Sequence, residues 1–595
     1  MHRQKILFLT FLILALLFTL LFLEMPDQTA DTLYFNANVY AMDADGTRAE
    51  AIAVKGERIL GVGTTEELQK RFTVKESVDL EGKTILPGFI DAHAHLLSLG
   101  FSRMTLDLVG TSSEVQVAAL IQEQVNRSSP EQWIRGRGWD QNLWPSKRFP
   151  TYEVLDRVSG DHPVYLERID GHAAWVNVRA MELAGITDKT EDPPGGKIIR
   201  DARGNPTGVF IDAAMGLVTR SMPPASEKEL EQALSIAVKE CLQYGITCVH
   251  DMGAGLAEIQ LYQRMIDRGE FPFRVVVAID GPGETWEHFL ANGPIHDYGE
   301  GRLSVRAIKM YIDGALGSRG AALVEPYSDD PTNRGLTLTT EDDLKKVVDQ
   351  ALSRGFQVCT HAIGDRGNTI VLDAYESALK ANKEGDHRLR LEHVQVLFPG
   401  DIPRFRQLGV IPSMQPTHCT SDMFWAEARL GPSRVRWAYA WQSILSTGVM
   451  IAGGSDFPVE NPNPLLGLYA AITRQDQRGV PANAGEVKKY FQLSKEGIQD
   501  PAAFEGGWYH KEKMTREQAV RAFTSWAAFA GFQEKSVGSL EEGKLADFIV
   551  LSDDVLTINP QEILTAVVER TVLAGKEVYR RAGGLGTTAQ SVGPR

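Results

Sequence analysis

The stretch that decides the fold is Pro87-Gly88-Phe89-Ile90-Asp91-Ala92-His93-Ala94-His95, a turn and a short apolar strand that ends in two histidines one residue apart. Successive side chains of a β-strand point to opposite faces, so His93 and His95 project to the same side and can bind one cation. For an isolated His-x-His pair, two histidines on a polar strand face are the commoner interpretation. The metal interpretation depends on whether further ligands follow along the chain.

Length and composition indicate a large globular protein. The 595 residues suit several domains, or one large barrel with a smaller companion. The 43% hydrophobic and 23% charged content is ordinary for a globular chain, which argues against long disorder. A net charge of −15 argues against a surface that binds nucleic acid or anionic lipid, since both favour clustered Lys and Arg. The four cysteines include no CxxC pair, so we expect buried free thiols.

The N-terminus resembles a membrane-targeting segment. Basic residues precede an uncharged, Leu- and Phe-rich run from Ile6 to Leu23, which is at the short end for a spanning helix. No small-x-small cleavage site follows, so residues 1–30 are predicted to be an uncleaved signal anchor rather than a cleaved signal. The catalytic body is then exported and tethered to the membrane by this segment alone, or is secreted or periplasmic if cleavage occurs.

The body of the chain predicts an α/β fold. Short strands and hairpin turns in residues 31–86 and 534–580 predict one composite β-sandwich built from both ends. Apolar strands alternate with helical stretches in residues 87–533, which predicts a (β/α)8 TIM-like barrel with a large insert at about 96–245 after the first strand, expected to cover the substrate. The eight predicted strands cover residues 84–93, 248–251, 274–279, 305–312, 357–361, 389–395, 410–415 and 449–456.

Residues suited to chemistry occur at several of these strand ends. In the fourth strand, Ile308, Met310 and Ile312 form one apolar face, so Lys309 points into the barrel. A buried lysine is costly unless it is paired, neutral or modified. Carboxylation by carbon dioxide would give a carbamate that bridges two metal ions. The alternative is a lysine paired with Asp313 or with a substrate carboxylate, and the sequence leaves both interpretations open.

Three more candidate ligands follow in order. His361 ends the fifth strand, His393 lies in the sixth, and Asp456 follows two glycines at the end of the eighth. Each residue alone is better explained as a core histidine or a turn carboxylate. Catalytic groups of such barrels come from the C-terminal ends of several strands, however, and this ordered set is improbable as a coincidence. The sequence therefore predicts a metal site.

The ligand types indicate the chemistry. Imidazole and carboxylate ligands suit one or two zinc ions, although iron, manganese and nickel are compatible with them too. Such a cation lowers the pKa of bound water and polarises a carbonyl, so that hydroxide can attack an amide at neutral pH. Asp456 is placed to accept the proton and return it to the leaving amine.

Longer motifs resemble the amidohydrolase superfamily, and in particular its amidohydrolase-3, YtcJ-like branch, which includes N-substituted formamide deformylases. These motifs are the Pro87–His95 stretch and, beyond it, Arg137-Gly138-Trp139-Asp140-Gln141, Asp170-Gly171-His172, Lys309-Met310-Tyr311-Ile312-Asp313-Gly314, His361-Ala362-Ile363-Gly364-Asp365 and Gly454-Ser455-Asp456-Phe457-Pro458. The resemblance implies a barrel with a composite sandwich and a carboxylated Lys309. It also implies metal ligands at His93, His95, His361, His393 and Asp456. We expect His93 and His95 to bind the more buried metal, and Lys309 to determine whether a second metal ion joins it.

These observations predict a metal-dependent hydrolase of a small-molecule amide, such as an N-acyl or N-formyl amine. The alternatives are a hydrolase of a carbamate, lactam or ester, and a catalytically silent membrane-anchored binding module. His172 is a candidate for substrate binding or for a structural hydrogen bond, and Arg319 for a substrate carboxylate or an acidic neighbour. Cys359 is expected to pack in the barrel without acting as a nucleophile. The sequence does not determine how many metal ions bind or whether the protein forms a homo-oligomer.

Overall fold

The computed structural model describes residues 28–168, 173–193 and 196–582. The predicted anchor run and His172 lie outside these residues, so both stay predictions. Within the described residues, no helix combines the length and the apolar character needed to cross a membrane. The described residues divide into two compact units, one formed by residues 28–95 with 238–582 and the other by residues 96–237.

The first unit contains the predicted barrel. Eight strands pair in parallel, each with the next along the chain, and the short strand Ile295–Asp297 adds to the fourth in antiparallel fashion. The ring is nearly closed where the backbone N–H of Asp456 donates to the carbonyl of His93 at 2.7 Å. The barrel prediction is confirmed. The strands are β1 (Phe89–Ala94), β2 (Ile246–Ala254), β3 (Arg274–Asp280), β4 (Leu303–Tyr311), β5 (Gln357–Ala362), β6 (Arg390–His393), β7 (Ile411–Met414) and β8 (Ala452–Gly453).

Helices follow most strands, as the alternating pattern predicts. The helix after β4 begins at the cap residue Thr340, whose hydroxyl accepts from the N–H of Asp343, and it buries an apolar stripe that includes Leu344 and Val348. Its acidic first turn suits the positive end of the helix dipole. The helices after β2 to β8 are Leu256–Asp267, Glu284–Asn292, Tyr298–Gly301, Glu341–Ser353, Asp365–Ala381, Ile402–Leu408, Pro416–Val435, Trp441–Leu445, Pro464–Thr473, Ala484–Tyr490, Arg516–Ala522 and Ser525–Ala530, with 3-10 turns at Pro399–Asp401, Pro501–Phe504 and His510–Glu512.

The predicted strand at residues 84–93 is in fact two strands. Thr84–Pro87 joins a terminal sheet and Phe89–Ala94 is β1, with Gly88 between them. A Cβ on Gly88 would lie 2.4 Å from the side chain of Thr247, so only glycine lets the chain pass this close to β2. A single apolar run in the sequence therefore contains two strands that belong to different sheets.

Both ends of the chain form the predicted composite sandwich. Three C-terminal and three N-terminal strands share one sheet, and the two sets meet where Phe548–Leu551 pairs antiparallel with Thr84–Pro87. Apolar residues of the two sheets, such as Ile52 and Phe548, pack in one buried core. One sheet contains Arg58–Gly63, Ala51–Lys55, Gln28–Phe35 and Phe72–Asp79, and the other Lys576–Arg580, Val568–Leu573, Phe548–Leu551, Thr84–Pro87, Asn38–Tyr40 and Arg48–Ala49, with the helix Thr65–Arg71 and the 3-10 turn Pro560–Leu564.

The second unit has its own mixed sheet and core. The buried indole rings of Trp139, Trp144 and Trp175 pack together, with ring centroids 5.9 to 6.1 Å apart. Its predicted role as a substrate cover stays a prediction. Its strands are Gly196–Arg200, Pro206–Asp212, Ala173–Val176, Val164–Arg168, Ile134–Trp139 and Leu106–Asp107, in sheet order, and its helices are Leu96–Met104, Glu114–Val125, Gln141–Leu143, Tyr152–Ser159, Val178–Leu183, Met215–Thr219 and the first part of Glu227–Gln243.

Candidate metal centre

The ends of three barrel strands bring imidazole and carboxylate side chains together. One ligand atom each of His93, His393 and Asp456 lies within 4.8 Å of the other two, and all three residues are buried. His93 Nε2 is 3.5 Å from Asp456 Oδ1. His95 lies beside this group, with its Nε2 atom 3.2 Å from the same carboxylate oxygen. Four of the residues predicted from the sequence therefore meet at one point.

Neighbouring polar groups fix which nitrogen of each histidine faces the centre. His93 Nδ1 donates to Glu392 Oε2 at 2.6 Å, and His393 Nδ1 donates to Gln415 Oε1 at 2.8 Å. The Nε2 atom of each ring then carries the lone pair and can act as a ligand. A metal-binding histidine typically donates its other ring N–H to an acceptor in this way.

A buried guanidinium holds the partner of His93 in place. Arg390 Nε donates to Glu392 Oε1 at 2.8 Å, and Arg390 Nη1 donates to His250 Nδ1 at 2.8 Å. Burial would raise the pKa of Glu392, but the charge of Arg390 and the contact with His93 outweigh it and hold this pKa well below its usual range. Glu392 is therefore an ionised acceptor that fixes the orientation of the His93 ring.

The electrostatics keep the imidazoles neutral. Burial, together with the nearby Lys309, lowers the pKa of His93 to about 4 and that of His361 to about 3. Burial also lowers the pKa of His393 well below its usual value. Neutral imidazole is the form that binds metal ions, so all three rings are ready to act as ligands at neutral pH.

Asp456 is held as a carboxylate in a constrained backbone position. Its φ of +61° lies in the left-handed region, which is uncommon for an aspartate and frequent at functional sites. His418 Nε2 donates to Asp456 Oδ2 at 3.2 Å. Burial would raise the pKa of Asp456, but the hydrogen bonds from His418 and His95 outweigh it and hold this pKa well below its usual range. The same hydrogen bond outweighs the effect of burial on His418 and raises its pKa to about 9.

A second carboxylate positions the Asp456 loop. Asp91 accepts from the N–H of His93 at 3.1 Å, from the N–H of Ser455 at 3.0 Å and from the hydroxyl of Ser455 at 2.6 Å. These bonds tie β1 to the loop after β8. Between the two segments, Gly454 leaves no room for a side chain, because a Cβ there would lie 2.6 Å from the backbone nitrogen of His93.

We expect Gly454→Ala to lower the free energy of unfolding by about 1–3 kcal/mol, as overpacking of a rigid site does, and to weaken metal binding by displacing Asp456. Thermal melts and metal titration of the purified variant measure the two effects. The matched control is Gly255→Ala, since nothing lies within 4 Å of a Cβ at Gly255. If G454A melted and bound metal like G255A, this account of the loop would be wrong.

Lys309 points into the barrel beside the first histidine. The residue is 1% exposed, and its Nζ atom lies 3.2 Å from His93 Nε2. Burial lowers the pKa of Lys309 below its usual value, although Glu392 and Asp456 oppose this effect. In the described part of the chain, no carboxylate forms an ion pair with Lys309, Asp313 included. The structure thus does not support the predicted pairing with Asp313.

Asp313 has other partners. Its carboxylate accepts from the backbone N–H groups of Ala322, Ile363 and Gly364 at 2.8 to 3.0 Å. Three such bonds satisfy a buried carboxylate and fix the loop after β5. Asp313 Oδ1 also lies 3.6 Å from His361 Nε2, beyond hydrogen-bond distance.

The donor set fits a divalent cation. His361 Nε2 is buried and has no hydrogen-bond partner among the described residues, and its ring lies 4.6 Å from that of His393. A buried nitrogen without a partner is costly unless a ligand satisfies it. Neutral imidazoles with an ionised carboxylate are the ligands that zinc and related metals prefer.

A cavity of about 390 Å³ opens from the centre. His418 and Gln395 provide polar groups on its wall, and the larger part of the wall is apolar. The apolar and aromatic lining includes Tyr311, Leu316, Ile363, Trp425 and Val459. The space suits a small organic molecule with a reactive polar group near the metal ligands.

Two further sequence candidates have structural roles. Arg319 Nη2 forms an ion pair with Asp329 Oδ2 at 2.9 Å, in keeping with the interpretation that it faces an acidic neighbour. Cys359 packs inside the barrel with Met252, Ala278 and Ala307, and burial raises its pKa to about 12. Such a thiol is inert, in keeping with the expectation that it is no nucleophile.

Three residues of the centre are not among those predicted from the sequence: Glu392, Arg390 and His418. Glu392 and Arg390 lie in the strand that carries His393, and their one signal is that they are charged residues in a short barrel strand. His418 lies in the helix Pro416–Val435, where the strand-end criterion does not apply, and its one signal is its position just after β7.

The sequence matches known proteins over nearly its whole length. The profile of the amidohydrolase family matches residues 76–579. YtcJ of Bacillus subtilis (strain 168), a protein named as an amidohydrolase, is 33% identical over 556 residues, which cover 91% of this chain and 98% of that protein. The N-substituted formamide deformylase of Arthrobacter pascens is 28% identical over 581 residues, covering 93% and 99%.

The fold matches solved structures as well. An uncharacterised metal-dependent hydrolase of Pyrococcus furiosus superposes with a TM-score of 0.70 at 25% identity, covering 88% of this chain and all of that one. Another from Pyrococcus horikoshii superposes with a TM-score of 0.73 at 23% identity, covering 89% of this chain and 99% of that one.

Proposed function

The chain belongs to the amidohydrolase family, and from this premise we propose that it cleaves a non-peptide C–N bond, such as the amide of an N-acyl or N-formyl amine. The observation that carries the proposal is the convergence of His93, His393 and Asp456 within 4.8 Å on the wall of a cavity. The sequence similarity to an N-substituted formamide deformylase supports the choice of an amide.

The proposed reaction adds water to the amide and releases a carboxylic acid and an amine. A divalent cation held by His93, His393 and Asp456, with His95, His361 and Lys309 close by, would polarise the carbonyl and activate the water. Asp456 is an ionised carboxylate and can accept the proton of the attacking water. The same residue can then return this proton to the nitrogen of the leaving amine.

The protein also orients the Asp456 carboxylate and the substrate, in addition to transferring the proton. His418 donates to one oxygen of Asp456 and leaves the other directed toward His93 and His95. Gln395 offers an amide to the substrate amide, and the aromatic rings of Tyr311 and Trp425 offer apolar contact for its organic groups. A substrate with an apolar N-substituent fits this wall better than a strongly charged one.

Metal removal tests the proposal. We expect the purified protein to contain at least one equivalent of a transition metal and to hydrolyse members of a panel of N-formyl and N-acyl amines. Treatment with a chelator should abolish this activity, because the reaction depends on the cation, and reloading with zinc should restore it. Elemental analysis and product detection by mass spectrometry measure both quantities.

The same panel separates the alternatives. Hydrolysis of carbamates, lactams or esters without amide turnover would favour a different substrate class on the same barrel. A protein that binds no stoichiometric transition metal, or that hydrolyses no compound of the panel when loaded, would favour the silent binding module and contradict the proposal.

A further inference from the structure

A second cavity, of about 330 Å³, lies apart from the metal centre. Among the described residues, the two cavities share no lining residue. Its wall comes from residues 427–443, which include the later turns of the helix Pro416–Val435, and from residues 498–512. His418 and Glu427, on the same helix, are nine residues apart, or about 13 Å at 1.5 Å per residue. The proposed hydrolysis uses none of the residues around this cavity.

A buried carboxyl group lies at the wall of the second cavity. Glu427 is only 2% exposed, and its Oε1 atom is buried without a hydrogen-bond partner in the described part of the chain. Burial, with a smaller contribution from Glu496, raises the pKa of Glu427 to about 7. An unpaired buried carboxyl is costly, since it loses water without gaining a partner. A ligand that donates to it would remove this cost.

Aromatic rings lie next to this carboxyl group. The rings of Phe504 and Tyr509 are 5.1 Å apart and line the same cavity. Tyr509 has a φ of +46°, a strained value for a residue with a large side chain, and its ring also packs on Trp508. Aromatic faces attract organic cations and bury apolar groups.

The basic residues that line the cavity are exposed to solvent. Arg436 and Lys511 line it but are exposed, and the Arg436 guanidinium lies 5.6 Å above the ring of Trp437. Neither residue forms an ion pair with Glu427 in the described part of the chain. The buried residues of the lining, by contrast, include the carboxyl group of Glu427 and the ring of Phe504.

We propose that this cavity binds a small organic cation, a primary ammonium group on an alkyl or aryl body. The ammonium group donates to Glu427, and the body packs against Phe504 and Tyr509. His510 Nδ1, which also lacks a partner among the described residues, offers a further polar contact at the wall. The inference is independent of the proposed hydrolysis, because it concerns binding at a different cavity.

Isothermal titration of the full-length protein with 4-bromobenzylammonium tests the proposal. We expect saturable binding that Glu427→Gln weakens about 10-fold or more, because the amide keeps the shape but removes the charge. Glu505→Gln is the matched control, since Glu505 is an exposed residue of the same segment and lies outside the cavity lining. Equal affinity in E427Q and the wild type would contradict the proposal.

A crystal soaked with the same compound locates it. We expect the anomalous signal of bromine inside the second cavity of the wild-type protein, a result that does not depend on whether E427Q folds. Bromine at the metal centre alone would overturn the proposal, even if hydrolysis is observed. Titration with the neutral 4-bromobenzyl alcohol should show weaker binding, and equal affinity for the alcohol would overturn the role of the charge.

Discussion

Replacing Asp456 with asparagine is expected to lower kcat/KM for amide hydrolysis by about 10³-fold, within the 10²- to 10⁴-fold contribution usual for a positioned general base. Asparagine keeps the shape of the side chain and can accept the hydrogen bond from His418, but it cannot take up the proton of the attacking water. The loss should be in kcat rather than in KM, because the carboxylate acts on the reacting atoms. Steady-state kinetics with the best substrate of the amide panel measure it.

Metal content must be measured on the same preparation, because Asp456 is also a predicted ligand. A variant that keeps its metal and loses activity assigns the effect to proton transfer, whereas loss of the metal assigns it to ligation. Asp280→Asn is the matched control, since Asp280 ends β3 at the same end of the barrel but is exposed and outside the cavity lining. An Asp456→Asn enzyme as active as D280N would overturn the proposed mechanism.

The fold could be predicted because its signals are local. Each parallel strand is an apolar run of a few residues, and the C-terminal ends of such strands meet at one end of a barrel. Ligands that end different strands were therefore expected to converge, and His93, His393 and Asp456 do. The exact strand boundaries are harder to predict, because the apolar run continues across Gly88 while the chain passes from one sheet to another.

The residues that hydrogen-bond to the metal ligands could not be predicted from such local patterns. Strict alternation along β6 would place Glu392 and His393 on opposite faces. In the structure both reach the ring of His93, because His393 has a φ of +73° that interrupts the alternation. A positive φ at a histidine is set by the surrounding packing and leaves no local trace in the sequence.

Hydrogen bonds between residues far apart in the sequence explain why the surroundings of Lys309 could not be predicted. The sequence offered Asp313 as a partner for Lys309, since the two are four residues apart. The carboxylate instead accepts from three backbone N–H groups, two of which lie about fifty residues further along the chain. Local spacing cannot reveal such bonds, and without them the environment of the lysine was undetermined.

Among the described residues, no carboxylate forms an ion pair that would keep the Lys309 amine charged. This absence favours carboxylation of the amine. A neutral amine nitrogen can attack carbon dioxide, forming an N–C bond and releasing one proton, and burial favours the neutral amine by lowering the pKa of Lys309. The product would be an anionic group beside His93, with two oxygens suited to two metal ions. The protonated amine, by contrast, carries a positive charge and has no lone pair for a cation.

We therefore expect the wild-type protein to hold two equivalents of metal and the Lys309→Met variant to hold one or fewer, with kcat/KM lower by about 10²-fold or more, as loss of a group that orients the reacting atoms does. Methionine retains much of the volume but cannot carry a carbamate. Lys513→Met, at a half-buried lysine outside the cavity, should leave both values unchanged.

Wild-type protein prepared with ¹³C-bicarbonate should show a carbamate carbon by NMR that the variant lacks. A single metal ion and an unlabelled wild-type enzyme would instead establish a mononuclear centre in which Lys309 remains an amine.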